Sequence, residues 1–268
     1  VIERLTAAVL LSVLVSLAGW RAGALSWFGA ITAAVVGSVV IASLSWPGAL
    51  VLGGFFVSSS ALSRLGRSDG IAQKGSRRDA KQVLANGGVA AIASLLALSG
   101  QYILAFAAFA GALSAATADT WATEVGSRSR VRPRFIVSRH HALPGQSGGV
   151  TPIGSTASLL GALLIAALSA FGATLYRNAE PVNALFLAVF LAGIIGSIID
   201  SILGEMIQER RWCPICVTPT EAPIHRCGAA TIRVGGLGWV DNDLVNVACT
   251  FTGGAVSGCI VLLWLAAS

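Results

Sequence analysis

Two stretches of the chain share the acidic signature D-[TS]-x-x-x-E: Asp119, Thr120 and Glu124 in the first, Asp200, Ser201 and Glu205 in the second. Both close an otherwise apolar run. A carboxylate at mid-bilayer costs roughly 2.5 to 3.5 kcal/mol on insertion scales, so acids kept there mark a metal, ion or substrate site. On a helix, Thr120, Thr123 and Glu124 share a face, and Ser201, Gly204, Glu205 and Gln208 form a second stripe. Another element adds Asn242, Asp243 and Asn246. Such oxygen-rich sets suit Mg²⁺, which takes one or two carboxylates and lets substrate phosphates complete its shell. The expected magnesium ligands are Asp119, Glu124, Asp200, Glu205 and Asp243. Pairing with nearby arginines accounts for Glu209 or Glu221, but poorly for Asp119 and Asp200, which lie within apolar runs.

A second constellation is Cys213-x2-Cys216-x8-His225-x-Cys227. Three thiolates and an imidazole suit tetrahedral Zn²⁺, and the Cys-x-x-Cys opening is a knuckle geometry. A closed site of this kind would fold its loop rather than catalyse, so structural zinc is expected; free thiols are the alternative. Cys249 and Cys259 fall in the last apolar run and read as packing residues.

Phosphate-binding candidates form two further groups. Asp79, Gln82 and Asn86 recur at i, i+3 and i+7, one helical face, beside Lys74, Arg77, Arg78 and Lys81. A shared ligand is one reading of that face and interhelical hydrogen bonding the other. Downstream, Ser147, Gly148, Gly149 and Thr151 precede a helix start, where free backbone N–H groups and the helix dipole favour an anion. The chain contains no G-x-x-x-x-G-K-[ST] loop.

The elements that carry these residues must be membrane helices. Mean hydropathy is +0.78, with 55% hydrophobic and 11% charged residues, more apolar surface than one soluble core could bury. Apolar runs near 3–20, 24–45, 48–65, 83–99, 101–125, 150–176, 182–208 and 242–267 predict an all-α polytopic bundle of about eight spans. A single membrane domain over 1–268 is expected: N-terminal helices in 1–63, a catalytic core over 64–250 that includes a Cys/His loop at 209–241, and a last helix at 242–268. No stretch has the layout of a cleaved signal, and the initial Val suggests a trimmed or engineered terminus.

Charge placement gives an orientation. If loops 64–82, 126–149 and 209–241 share a side with Arg21, sixteen of the 18 Lys and Arg lie there, leaving Arg4 and Arg177 opposite. The positive-inside rule makes that side cytoplasmic and both termini external. The net charge of +6 is thus spent on topology and anionic lipid headgroups, and no nucleic-acid partner is expected. Stripes such as Gly193-x-x-Gly196 permit packing within a chain or in a homo-oligomer equally.

Taken together, Lys81-Gln82-Val83 with Ala85-Asn86-Gly87, the string Ala118-Asp119-Thr120-Trp121-Ala122-Thr123-Glu124-Val125-Gly126, Pro144-Gly145 with Ser147-Gly148-Gly149-Val150-Thr151, Gly196 with Asp200-Ser201 and Gly204, and Asn242-Asp243 with Val245-Asn246 resemble domain-of-unknown-function family 92. Its members include transmembrane protein 19 and the phytyl-phosphate kinase of plants and cyanobacteria. The resemblance covers residues 64 to 250. It implies an isoprenoid (phytyl or prenyl) monophosphate kinase that uses a nucleoside triphosphate, by analogy CTP, and makes the diphosphate at the cytoplasmic membrane face. Some relatives lack the cysteines, which favours a structural role for zinc.

The residues accommodate that chemistry, because phosphoryl transfer depends on charge neutralisation and in-line positioning more than on covalent help. Asp119, Glu124, Asp200 and Lys81 would act at the reacting phosphates. Lys74, Arg77, Arg78, Gln82, Asn86, Thr120, Thr123, Ser147, Gly148, Gly149, Thr151, Ser201, Gln208, Asn242 and Asn246 would line substrate and nucleotide. Two alternatives use the same groups: a CTP-dependent cytidylyltransferase of a lipid phosphate, and a lipid-phosphate or ion transporter without nucleotide turnover.

Overall fold

The structure is a computed structural model that describes residues 2–65, 77–177 and 182–267. Lys74 lies outside them. Among the described residues there are seven α-helices: α1 (Ile2–Arg21), α2 (Trp27–Leu65), α3 (Ala80–Ser94, continued by a 3-10 turn Leu95–Ser99), α4 (Tyr102–Gly126), α5 (Pro152–Arg177), α6 (Val182–Met206) and α7 (Asn242–Ala267). Five short strands punctuate the loops: β1 (Arg134–Phe135), β2 (Gly149–Val150), β3 (Arg210–Cys213), β4 (Thr218–Thr220) and β5 (Ile232–Gly235). Helices are the form lipid demands, because each backbone N–H and C=O must find its partner within the span. Six of the helices are long and apolar enough to cross a membrane, and α1 adds a shorter apolar helix.

At 39 residues α2 would reach about 58 Å if straight, twice the ~30 Å of a bilayer's hydrocarbon. It is not straight. Ser45 takes φ 61° and ψ −151°, and Pro47 follows at the start of the next turn, where its missing N–H is tolerated. A Cβ at Gly48 would meet Val40 at 3.0 Å, although two turns of straight helix would separate these residues by about 12 Å. The chain has therefore doubled back. At one end of the two arms Arg64 Nη2 donates to the Ala22 carbonyl (2.7 Å) and Trp20 meets Trp27 edge to face. At the other, the Tyr102 hydroxyl donates to the Leu44 carbonyl (3.1 Å) and Trp46 meets Tyr176. The two apolar runs read at 24–45 and 48–65 are these antiparallel arms.

The centre of the bundle is α4, which packs on α2, α3, α5, α6 and α7. Its buried stretch, Ala105 to Ala118, is mostly small residues, Gly111 and Ser114 among them, with Phe106, Phe109 and Leu113 as the large ones. Small side chains let membrane helices approach closely, where van der Waals contact is the main attraction. A Cβ on Gly253 of α7 would lie 2.5 Å from the Gly111 carbonyl, and one on Gly193 of α6 would overlap Ser114. The Gly193-x-x-Gly196 stripe is thus used inside the chain, against α4.

The polar loops gather at the Arg21 end. There Leu25 and Arg78 form a β-bridge, Arg128 donates to the Leu62 carbonyl (3.1 Å), and Gly126 lies against Gly154. Strands β4, β3 and β5 form an antiparallel sheet with β3 central, and β1 pairs with β2.

Candidate functional site

One turn before Asp119 and one turn before Asp200, Ala115 of α4 and Gly196 of α6 touch so closely that no Cβ fits at 196. That contact sets the spacing of the two helices, and the next turn of each brings its aspartate inward. The Asp119 and Asp200 carboxyl groups face one another within hydrogen-bonding reach. Asp200 Oδ2 is buried with no partner among the described residues. Two carboxylates this close repel unless a proton or cation lies between them. A shared proton would meet that need, and the oxygen donors are also of the kind a hard divalent cation takes.

Glu221 lies on the loop side of this pair, and its charge acts on Asp200 more weakly than burial and Asp119 do. It follows β4 directly. Its Oε1 accepts from Ser147 Oγ (2.6 Å) and from Gln208 Nε2 (3.0 Å), while Gln208 also donates to Ser147 Oγ (2.9 Å). The arginine pairing allowed for Glu221 is not seen among the described residues; it is Glu209 that meets Arg211, at 3.7 Å. Sequence reasoning missed Glu221 as a site residue, and the one available signal was its position just beyond the Cys-x-x-Cys hairpin. Beside Ser147 and Glu221 lies a cleft of about 200 Å³ lined also by Arg210, Arg211 and Trp212. Arg211 Nη1 is buried there without a partner among the described residues.

The other expected magnesium ligands part company. Glu124 accepts from Ser63 Oγ (2.6 Å) on the second arm of α2 and faces Arg78, whose guanidinium burial pulls down and Glu124 pushes back up. Glu205 has loop partners: its oxygens accept from the Val137 and Ser138 amides at 2.8 and 2.7 Å, so it clamps a loop. Asp243 is buried in the first turn of α7, behind Asp241, whose Oδ1 accepts from Leu244 N (3.0 Å) as the helix cap.

The face shared by Asp79, Gln82 and Asn86 is partly structural. Asp79 caps α3, accepting from Gln82 N (2.9 Å), while Gln82 Oε1 accepts from Asp79 N (3.0 Å), a complete capping box. Gln82 and Asn86 still line a cavity together with Arg78. Arg77 and Lys81 are exposed, and no contact links Lys81 to the aspartates among the described residues. Thr120 and Ser201 turn their hydroxyls to their own helices, at Ala116 and Ser197, and Thr123 is exposed. Asn242 and Asn246 are half-buried on α7.

The glycine-rich loop packs against α6. Gly148 has φ +81°, and a Cβ there would overlap the Glu205 amide and lie 2.7 Å from the Ser201 carbonyl. Only glycine allows this seat, which carries Ser147 to Gln208. Gly149 pairs with Phe135, and Thr151 Oγ1 caps α5 by accepting from Gly154 N (3.1 Å).

The four zinc candidates come together. Ligand atoms of Cys213, Cys216, His225 and Cys227 all lie within 4.8 Å of one another. Cys213 and Cys227 sulfurs are 3.7 Å apart, close to the ~3.8 Å edge of a tetrahedron with 2.3 Å metal–sulfur bonds. The Cys216 amide donates to Cys213 Sγ (3.4 Å), the knuckle bond, and Val217 turns the hairpin at φ 53°. His225 Nδ1, 3.1 Å from Cys227 Sγ, pulls that thiol down to about 6, while the Cys227 contact pushes Cys216 up to about 11. These residues fit a structural metal, which would tie the end of β3 and the β3–β4 turn to the 225–227 loop, the segments on either side of β4 and Glu221.

No solved structure matches the chain. It is 31% identical over 139 residues to an uncharacterized membrane protein of Methanocaldococcus jannaschii, covering 51% of this chain and 58% of that one. It is 30% identical over 175 residues to Protein PGR of Arabidopsis thaliana, covering 58% of this chain and 60% of the relative. The matches thus span about three-fifths of the relatives' own length. The family model of the integral membrane protein family DUF92 matches residues 10–254, nearly the whole sequence, and the chain belongs to that family.

Proposed function

We propose that the protein is an isoprenoid monophosphate kinase, transferring a phosphoryl group from a nucleoside triphosphate, CTP by analogy, to a prenyl or phytyl monophosphate. The observation that carries this reading is the Asp119–Asp200 pair, half-buried at the polar end of two spans, with Asp200 Oδ2 buried and unpartnered among the described residues. A bound Mg²⁺ would supply charge neutralisation and alignment of the phosphates, held by Asp119 and Asp200. Around it the chain offers two approaches. From the loop side, the cleft with Arg210, Arg211 and Trp212 leads to Glu221 and has cations for a polyphosphate and a ring to stack on a base. From the membrane side, Arg78 stands next to Glu124, about one and a half turns of α4 from Asp119. Because a monophosphate acceptor is already an anion, the reaction asks for cations and orientation rather than a strong base. The positive-inside rule assigns the shared polar end to the cytoplasm, where nucleotides are, and both termini to the other side.

The test is direct. Purified protein is incubated with Mg²⁺, each nucleoside triphosphate and a panel of prenyl monophosphates, and lipid products are identified by mass. Prenyl diphosphate with release of nucleoside diphosphate is expected. A cytidylylated lipid with pyrophosphate would move the assignment to nucleotidyl transfer, and consumption of free alcohols alone to an alcohol kinase.

A further inference from the structure

Between α1, both arms of α2 and α3 lies a cavity of about 170 Å³ that the aspartate pair does not use. Its walls are apolar: Val15, Val36, Ile41, Leu52, Phe55 and Val83. From Ala33 to Ile41 the lining of the first arm rises about 12 Å, the reach of one extended hydrocarbon segment. A small serine patch, Ser12 and Ser16, lies on α1; the cations and amides gather at the other elements' polar end, as Arg78, Gln82 and Asn86.

Arg78 is the unusual member. Its backbone is pinned, with N donating to the Ala24 carbonyl (2.9 Å) and the carbonyl accepting from Ser26 N (3.0 Å), which fixes where the side chain starts. The guanidinium lies 5.6 Å over the Phe55 ring, and Nη1 is buried with no partner among the described residues. Burying a guanidinium with an idle donor is unfavourable, and a phosphate, which can take its N–H groups in pairs, is the anion that matches it. Glycine supplies the room. A Cβ on Gly53 would meet nothing within 4 Å, and one on Gly87 would only reach ordinary contact with Val36 at 3.4 Å. The helices do not need these glycines to pack, so the space beside them is available to a ligand.

We infer that this cavity receives a single-chain isoprenoid monophosphate, tail between α1, α2 and α3 and phosphate on Arg78. The inference rests on the kinase reading for its choice of ligand and deepens it. A diacyl phospholipid has two chains for one narrow cavity, and a free nucleotide would find apolar walls. Glu124, whose charge acts on Arg78, lies about 7–8 Å along α4 from Asp119, a short step between acceptor and metal.

The experiment is binding without turnover. The full chain in nanodiscs, with neither nucleotide nor Mg²⁺, is titrated with farnesyl monophosphate, farnesol, inorganic phosphate and dioleoyl phosphatidate. Farnesyl monophosphate is expected to bind about tenfold or more tightly than farnesol or phosphate alone, the worth of a charge-assisted contact added to a buried chain. Arg78→Gln should weaken it about tenfold and Arg78→Lys less. Gly53→Leu should fill the open space and weaken farnesyl monophosphate while melting like the parent. Tighter binding of phosphatidate, or unchanged farnesyl monophosphate affinity in both Gly53→Leu and Arg78→Gln, overturns the assignment. Because nothing turns over, binding as expected stands even where the kinase assay yields no diphosphate. Conversely, prenyl diphosphate formation with unaltered acceptor KM in both variants removes the cavity and leaves the kinase.

Discussion

The two D-[TS]-x-x-x-E motifs are near copies in sequence and diverge in space. Asp119 and Asp200 meet because each sits one turn past the Ala115–Gly196 contact. Five residues of helix turn a side chain about 140° around the axis, so neither glutamate can follow its aspartate into the α4–α6 interface. Where each glutamate ends depends on its neighbours. Glu124 finds Ser63 and Arg78, whereas Glu205 finds two loop amides. A repeated signature thus fixes helix register and the first acid's role, and leaves the second acid to local surroundings.

The strongest way to break that comparison is at the shared position. Asp119→Asn and Asp200→Asn should each lower product formation about 10³-fold, the upper range for removing one stabilising group at a reacting centre. Both proteins should insert, purify and melt at or above the parent temperature, because one of two facing carboxylates has lost its charge. Near-parental turnover in either variant removes the pair from the chemistry. A smaller loss is expected at the Cys/His group. Elemental analysis should find one zinc per chain, and Cys213→Ser should lose it and cut activity about 10- to 100-fold, the usual cost of disturbing groups that orient a metal site. Full activity in metal-free Cys213→Ser would mean that Glu221 holds its place without the hairpin's metal.

Much of this was legible beforehand. The helices announce themselves as apolar runs, and the α2 hairpin shows as two runs, 24–45 and 48–65, that break at Trp46-Pro47, where proline removes a backbone donor. The aspartates and the zinc group were legible because burial and ligand chemistry both single them out. Gln82 was half legible: Asp79-x-x-Gln82 is a capping-box spelling, and its structural role coexists with a place on the cavity wall. Glu205 and Glu221 were not. Their partners come from loops 68 and 74 residues away in sequence, and no periodicity reports such a contact.

Next in size comes the contrast between the glutamates. Glu205→Gln should cost about 1.5–3 kcal/mol of stability, since hydrogen bonds to a charged group are the stronger kind and an amide keeps only part of the acceptance for Val137 and Ser138. Thermal melting and proteolysis of the 136–138 loop would register the change, with turnover per folded molecule nearly kept. Glu124→Gln should do the reverse, lowering turnover with little change in melting, because Ser63 can still donate to the remaining oxygen. If the two variants exchange these phenotypes, Glu205 and not Glu124 serves the reaction.

The smallest effect is the sharpest test of how acids outside the motifs divide. Glu209 and Glu221 lie on the same three-stranded module, and sequence alone gives both the bland role of arginine partner. Glu209 keeps it, in a partly exposed pair at 3.7 Å, the kind worth about 0.2 to 1 kcal/mol. Glu209→Gln should therefore shift melting by a degree or two at most and leave turnover unaltered. Glu221→Gln would leave Ser147 and Gln208 paired to each other, yet remove a loop-borne charge that acts on Asp200. Turnover, measured per folded molecule, should fall for Glu221→Gln alone. Equal behaviour of the two would mean that the charge at Asp200 is incidental to the hairpin's folding, and the cleft would then have to be joined to the aspartates by some other residue.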